Sequence, residues 1–245
     1  MQINPPFGYT EVVPLLKNHR VRLLPDRQVP EFARTLNAIP ISFTEFAPAS
    51  HDYPVVFTSG DGGKTYAPVA VLGLKTGENL FCRGAEWAAG VYVPAYARRH
   101  PFCMARVRLK DVEQRDRLIC VEKARVDGAD GEPLFDDQGE PLAKWRDLQR
   151  LLVEFEADLE RGRELCSILA DYALLQPFRM QAKLDHGGQV QLAGMHRVDE
   201  SRIEHLNASQ FKNLAKKGIL GRIYSHLLSL ENFPRLLARG TQNAA

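Results

Sequence analysis

The sequence predicts an α+β fold, in which an antiparallel sheet or partial barrel from the N-terminal half packs against a mainly helical C-terminal half. Two observations carry this. Up to about residue 135, short runs rich in Val, Ile, Leu and Phe are separated by Gly, Pro and Asp turn residues, whereas from residue 143 the apolar residues recur at steps of three and four. Between the two patterns lie consecutive turn-rich motifs, Asp127-Gly-Ala-Asp-Gly-Glu-Pro133 and Asp136-Asp-Gln-Gly-Glu-Pro141. The expected division is therefore a β-rich lobe over 1–135 and a mainly helical lobe with one hairpin over 136–245, joined in one compact unit. With 245 residues, 44% of them hydrophobic, such a unit buries about 75% of the surface its unfolded chain exposes.

In order along the chain, strands are expected over 21–24, 40–46, 55–59, 67–74, 80–83, 104–109 and 118–124. Ser59-Gly-Asp-Gly-Gly-Lys-Thr65 joins two of them as a hairpin, because Gly and Asp tolerate the positive φ that a reversing strand needs. In the second half, Leu148, Leu151, Leu152, Phe155 and Leu159, then Leu165, Cys166, Leu169, Tyr172 and Ala173, form one helical stripe over 143–175. Gly162 is placed to interrupt it, which would make two helices. Residues 179–184 and 189–193 alternate around Asp185-His-Gly-Gly188 and read as a second hairpin. Asn207 or Ser209 caps a helix that ends at Lys216-Lys217, with Gly218 closing it in the left-handed conformation. Further helical faces follow over 221–230 and 233–239.

The 32 Lys and Arg against 30 Asp and Glu leave a net charge of +2, too small an excess to make nucleic acid the expected partner. Charge is unevenly placed: residues 81–125 carry ten basic and five acidic side chains, residues 136–160 three and eight. These segments are expected to face each other. The start of the chain lacks a basic segment followed by an apolar run, and no stretch reaches the roughly 18 apolar residues of a membrane span. A soluble, cytoplasmic protein with no membrane partner is expected. Cys82, Cys103, Cys120 and Cys166 stand singly, without metal-ligand spacing, and are expected as buried small hydrophobes.

No motif assembles a catalytic constellation. Gly60-Asp-Gly-Gly-Lys-Thr65 lacks the earlier glycine of a phosphate-binding loop, Thr58 standing in its place, and a strand rather than a helix follows. Asp127, Asp130, Asp136 and Asp137 do not follow calcium-loop order. The seven histidines form no His-Glu-x-x-His pair, and neither a serine-nucleophile elbow nor a dinucleotide-binding glycine pattern occurs. No cofactor and no metal are expected.

One segment concentrates unusual chemistry: Trp87-Ala-Ala-Gly-Val-Tyr-Val-Pro-Ala-Tyr-Ala-Arg-Arg-His-Pro-Phe102. Pro94 fits the first turn of a helix and Pro101 stops it, so at most about two turns form, with Tyr96 and Arg99 on one face. Two outcomes are open. Trp87, Tyr92 and Tyr96 wall a cleft while Arg98 or Arg99 holds a carboxylate or phosphate through its planar guanidinium. Alternatively the aromatics are core anchors and the arginines pair with the acidic helix near 144–160, which is the more common fate of such residues.

The segment from Trp87 through Tyr92-Val-Pro-Ala-Tyr-Ala-Arg-Arg-His-Pro-Phe102, together with Leu174-Leu-Gln-Pro-Phe178, resembles the bacterial SapC family. The resemblance continues through Leu192-Ala-Gly-Met-His-Arg-Val-Asp-Glu200 and Gly218-Ile-Leu-Gly-Arg-Ile-Tyr-Ser-His-Leu-Leu-Ser-Leu230, covering nearly the whole chain. It implies a surface-layer association through the family's name. It also implies an accessory role beside flavin-dependent tryptophan-halogenase-like and cupin-like proteins, whose genes accompany the family, and it brings no catalytic residues with it. The function expected is that of a non-catalytic binding or accessory protein engaging a partner protein or a small anionic ligand. The alternatives are an enzyme whose site is assembled around residues 87–102, and a surface-layer component.

Overall fold

The structure, a computed structural model, describes residues 2–105, 107–109, 112, 113, 117–183 and 189–242. The α+β class holds: antiparallel sheets dominate the first part and the middle of the chain, and long helices the last part. The largest sheet has five strands, in the spatial order Leu175–Lys183, Gln189–Val198, Val55–Thr58, Ala67–Val71 and Ala38–Pro40, all antiparallel. Val55, Val56 and Phe57 are all 0% exposed. Because successive side chains point to opposite faces of a strand, the sheet is covered on both sides at this strand. The helix Ile219–Ser229 packs on its Val55–Thr58 and Gln189–Val198 strands, and the helix Ala143–Asp171 on Ala67–Val71. His226 fastens the first contact: its Nδ1 lies 2.7 Å from the Val55 carbonyl, and its Nε2 accepts from Val198 N at 3.0 Å.

A second, three-stranded sheet runs Val12–Pro14, Leu118–Glu122, Phe102–Ala105. Phe102 and Val121 on one face pack with Val21, Leu134, Trp145 and Leu152, while Cys103 and Cys120 on the other pack with Tyr9 and Val12. The helix Ala143–Asp171, 29 residues and so about 43 Å long, serves both cores. Trp145 and Leu152 near its start belong to the small core, and Phe155, Leu165, Cys166 and Leu169 further on belong to the large one.

Several expected boundaries change. The strand over 40–46 is instead Ala38–Pro40 followed by a 3-10 turn Phe43–Glu45 and a short helix Phe46–Ser50. Alternating Ile41, Phe43 and Glu45 imitate a strand, but Ser42 and Glu45 form a capping box, with Ser42 N donating to Glu45 Oε2 at 2.8 Å. Gly162 does not break the long helix. It is buried where the helix crosses the Phe43–Glu45 turn, and the roughly 1 kcal/mol penalty of a helical glycine is outweighed by packing on both sides of it. The strands expected over 21–24 and 80–83 shrink to Arg20–Val21 and Cys82–Arg83. The hairpin strands extend to Leu175–Lys183 and Gln189–Val198, and its turn, residues 185–188, lies outside the described residues, as does Arg106 in the run 104–109.

Asn207 caps the helix Ala208–Lys216 with Gln210 completing the box, and Gly218 has φ +69°. Asp61 in the 59–65 turn accepts from Lys64 N, Thr65 N, Thr65 Oγ1 and Ser59 Oγ, which pulls its carboxyl down to about 2. The backbone donors of Gly63, Lys64 and Thr65 are thus already taken within the turn. Among the described residues, no helix is long and apolar enough to cross a membrane, and no group of three or more His, Cys, Asp or Glu is placed to hold a metal ion.

Candidate functional site

The 87–102 segment is held from below by buried polar groups. Pro94 precedes the helical turn Ala95–Arg98. Glu45, 3% exposed, sits at the start of that turn, its Oε1 accepting from Ala95 N at 2.6 Å and from the Tyr92 hydroxyl at 2.9 Å. Tyr92 N donates to Asp52 at 2.8 Å. The Tyr53 hydroxyl donates to the Tyr92 carbonyl and accepts from Trp87 Nε1 at 2.8 Å, and burial raises its pKa well above the ordinary phenol value. The Tyr96 hydroxyl donates to the Phe7 carbonyl at 2.6 Å. Trp87 and Tyr96 are buried and Tyr92 half-buried, and the polar atom of each has its partner within the protein.

The two arginines part company. Arg99 is 3% exposed, and its guanidinium carbon lies 4.2 Å from the centre of the Tyr96 ring and 4.9 Å from that of Phe155. Its Nη1 reaches Glu156 of the long helix at 3.4 Å. Glu156 also receives Arg117, whose other nitrogen binds Glu160 at 2.9 Å. The basic segment 81–125 and the acidic segment 136–160 therefore meet, with Arg99 as a desolvated link between them.

Arg98 is exposed and turns the other way. Its Nε donates to the Val93 carbonyl at 2.9 Å and its Nη2 to the Tyr92 hydroxyl at 3.2 Å. It stands on the wall of a cleft of about 880 Å³. Three elements enclose this space: the loop 23–29, residues 87–100, and the first turns of the long helix up to Glu154. Leu23, Leu24, Trp87, Val93, Leu148 and Leu151 supply its apolar surface. Of the other cations on the wall, Arg150 is paired with Asp147, Lys144 with Glu132, and Arg27 with the carbonyls of Trp87 and Ala88. Among the described residues, Arg98 is held by neutral oxygens only, the Val93 carbonyl and the Tyr92 hydroxyl.

A protein-family model describing the SapC family matches residues 17–236, which include the whole cleft and the anchored segment. The chain belongs to the SapC family. No curated protein and no solved structure gives a significant match.

In this SapC-family chain, the cleft includes parts that the sequence does not advertise. Leu23 and Leu24, expected to end a strand, instead begin a loop over 23–29 that forms one lip. Arg27 there adopts φ +66°, a left-handed conformation that costs a non-glycine residue roughly 1 kcal/mol, and its carbonyl accepts from Trp87 N at 2.9 Å. His100 also belongs to the wall. Its Nε2 lies 3.3 Å from Glu122, a strand residue 8% exposed whose other oxygen accepts from Thr10 N at 3.0 Å. The available signal was an acidic residue closing an otherwise apolar strand, Leu118-Ile-Cys-Val-Glu122, which when buried calls for a partner. The free cysteines Cys103, Cys120 and Cys166 are buried, and burial pushes each thiol up, to about 12, 11 and 12.

Proposed function

We propose that this SapC-family protein is a cytoplasmic binding or accessory protein whose cleft takes up a small anionic ligand with an apolar body. The observation that carries this is Arg98, an exposed guanidinium fixed by Val93 and Tyr92 on the wall of a cleft that also presents apolar side chains. A planar guanidinium with donors to spare matches a carboxylate or phosphate, and fixing it beforehand lowers the entropy lost on binding. Leu23, Leu148 and Leu151 supply a surface for the apolar part. In this reading Tyr92 orients Arg98, while Tyr96 and Arg99 hold the wall in place. A ligand-holding protein of this kind suits an accessory role beside flavin-dependent halogenase-like enzymes. Calorimetric titration with octanoate and with phenyl phosphate is expected to give saturable binding that weakens at least about tenfold in Arg98→Ala, the loss of one charge-assisted hydrogen bond. Absence of binding by both probes, or binding indifferent to Arg98→Ala, would overturn the proposal.

A further inference from the structure

His100 and His226 are both buried, at 9% and 0% exposure, yet they differ in what their nitrogens do. His226 uses both, one toward the Val55 carbonyl and one toward Val198 N. Among the described residues, His100 uses only Nε2, toward Glu122, and its buried Nδ1 has no partner. A buried polar atom without a partner is uncommon and calls for an explanation. Arg99 Nε and His196 Nδ1 share this property, but Arg99 is enclosed by Tyr96, Phe155 and Glu156 and His196 packs on Tyr66, neither lining the cleft, whereas His100 is part of the cleft wall.

The surroundings of His100 fix its state. Burial lowers its pKa to about 4, against the opposing pull of Glu122 and with help from Arg125 and Arg99. The rings of Tyr9 and Phe32 pack on it at 5.3 and 5.8 Å. Near neutral pH the imidazole is uncharged, and a carboxylate at Nε2 selects the tautomer with the proton on that nitrogen. The lone pair is then on Nδ1, two residues from Arg98.

We propose that His100, oriented by Glu122, is the hydrogen-bond acceptor of the cleft, and that the preferred ligand is an apolar anion that also carries a hydroxyl or amine donor. This rests on the anion-binding role of Arg98 and adds the second polar contact. Nδ1 is shielded from bulk water, so the wall has to yield for a donor to reach it, and the bond then forms where water does not compete. A site built to bond a donor discriminates against the analogue that lacks it.

Matched probes test this on the full chain: octanoate against 3-hydroxyoctanoate, and phenylacetate against 4-hydroxyphenylacetate. At pH 7, at least one hydroxylated member is expected to bind about five- to tenfold more tightly than its parent, the span of one hydrogen bond. The advantage of the hydroxylated member over its parent is expected to vanish in His100→Phe, and to shrink in Glu122→Gln, which removes the carboxylate that selects the tautomer. Imidazole 15N spectra of the unmutated protein are expected to place the His100 proton on Nε2, a readout independent of how either variant folds. Equal affinities within both pairs, an advantage that survives His100→Phe, or a proton on Nδ1 would overturn the proposal while leaving Arg98 as the anion site. Failure of all four anions and of phenyl phosphate to bind, or indifference of their binding to Arg98→Ala, would overturn the anion site and this inference with it, whereas binding of phenyl phosphate alone would overturn this inference only.

Discussion

Arg98 and Arg99 are adjacent, end the same helical turn, and occupy two different physical worlds. Arg99 is enclosed by Tyr96, Phe155 and Glu156, so its charge joins two parts of one fold. Arg98 is exposed, leans on two neutral oxygens and borders a cleft. Identical chemistry one residue apart thus divides into architecture and recognition, and the 100° rotation between neighbours on a helix is what divides it.

The largest effect that would sharpen this contrast is on stability. Arg99→Ala leaves Glu156 with one fewer cation and opens a hole among aromatic rings, so a loss of about 3–5 kcal/mol is expected. Arg98→Ala, on the exposed side, is expected to stay within about 0.5 kcal/mol. Urea denaturation of both variants would decide, and comparable losses would erase the division.

Acid should act next, and again on the buried side. Burial lowers the pKa of His226 to about 4, and of His100 in the same direction. For a histidine whose folded pKa lies below the unfolded value near 6.5, the unfolded chain binds the proton more readily. Stability is therefore full above about pH 6.5 and is lost as pH falls toward 4, by about 3 kcal/mol for His226 alone. Melting temperatures across pH 7 to 4 should fall over that window, and a flat profile would mean that neither imidazole is held uncharged.

The smallest expected effect tests the link between the two sides. Tyr92→Phe removes the hydroxyl that accepts from Arg98 and donates to Glu45. A stability loss of about 1–1.5 kcal/mol is expected, together with weaker binding of octanoate from a less firmly oriented Arg98. Unchanged binding would show that Arg98 needs no such support.

How much of this was legible in the sequence depends on range. The stripe from Leu148 to Leu169, the Asn207 cap and the Gly218 stop are local signals, and each appears as expected. Ser42 and Glu45 were also local, but an alternating apolar pattern masked their capping box. The opposite fates of Arg98 and Arg99 depend on Glu156 and the loop 23–29, more than fifty residues away on either side, and no periodicity encodes them. His100 and Glu122 lie 22 residues apart on separate elements, so only the folded chain makes them a pair.

The order of strands in the large sheet sets a timetable for the chain. Val55–Thr58 finds one neighbour at once, across a short turn, but its other neighbour is the Gln189–Val198 strand, with Phe57 opposite His196. At a synthesis rate of roughly 5–20 residues per second, the ~140 residues between them take about 7–30 s to emerge. Throughout that interval one edge of a strand rich in Val and Phe has no partner, which makes the nascent chain most prone to aggregation before its second half is made.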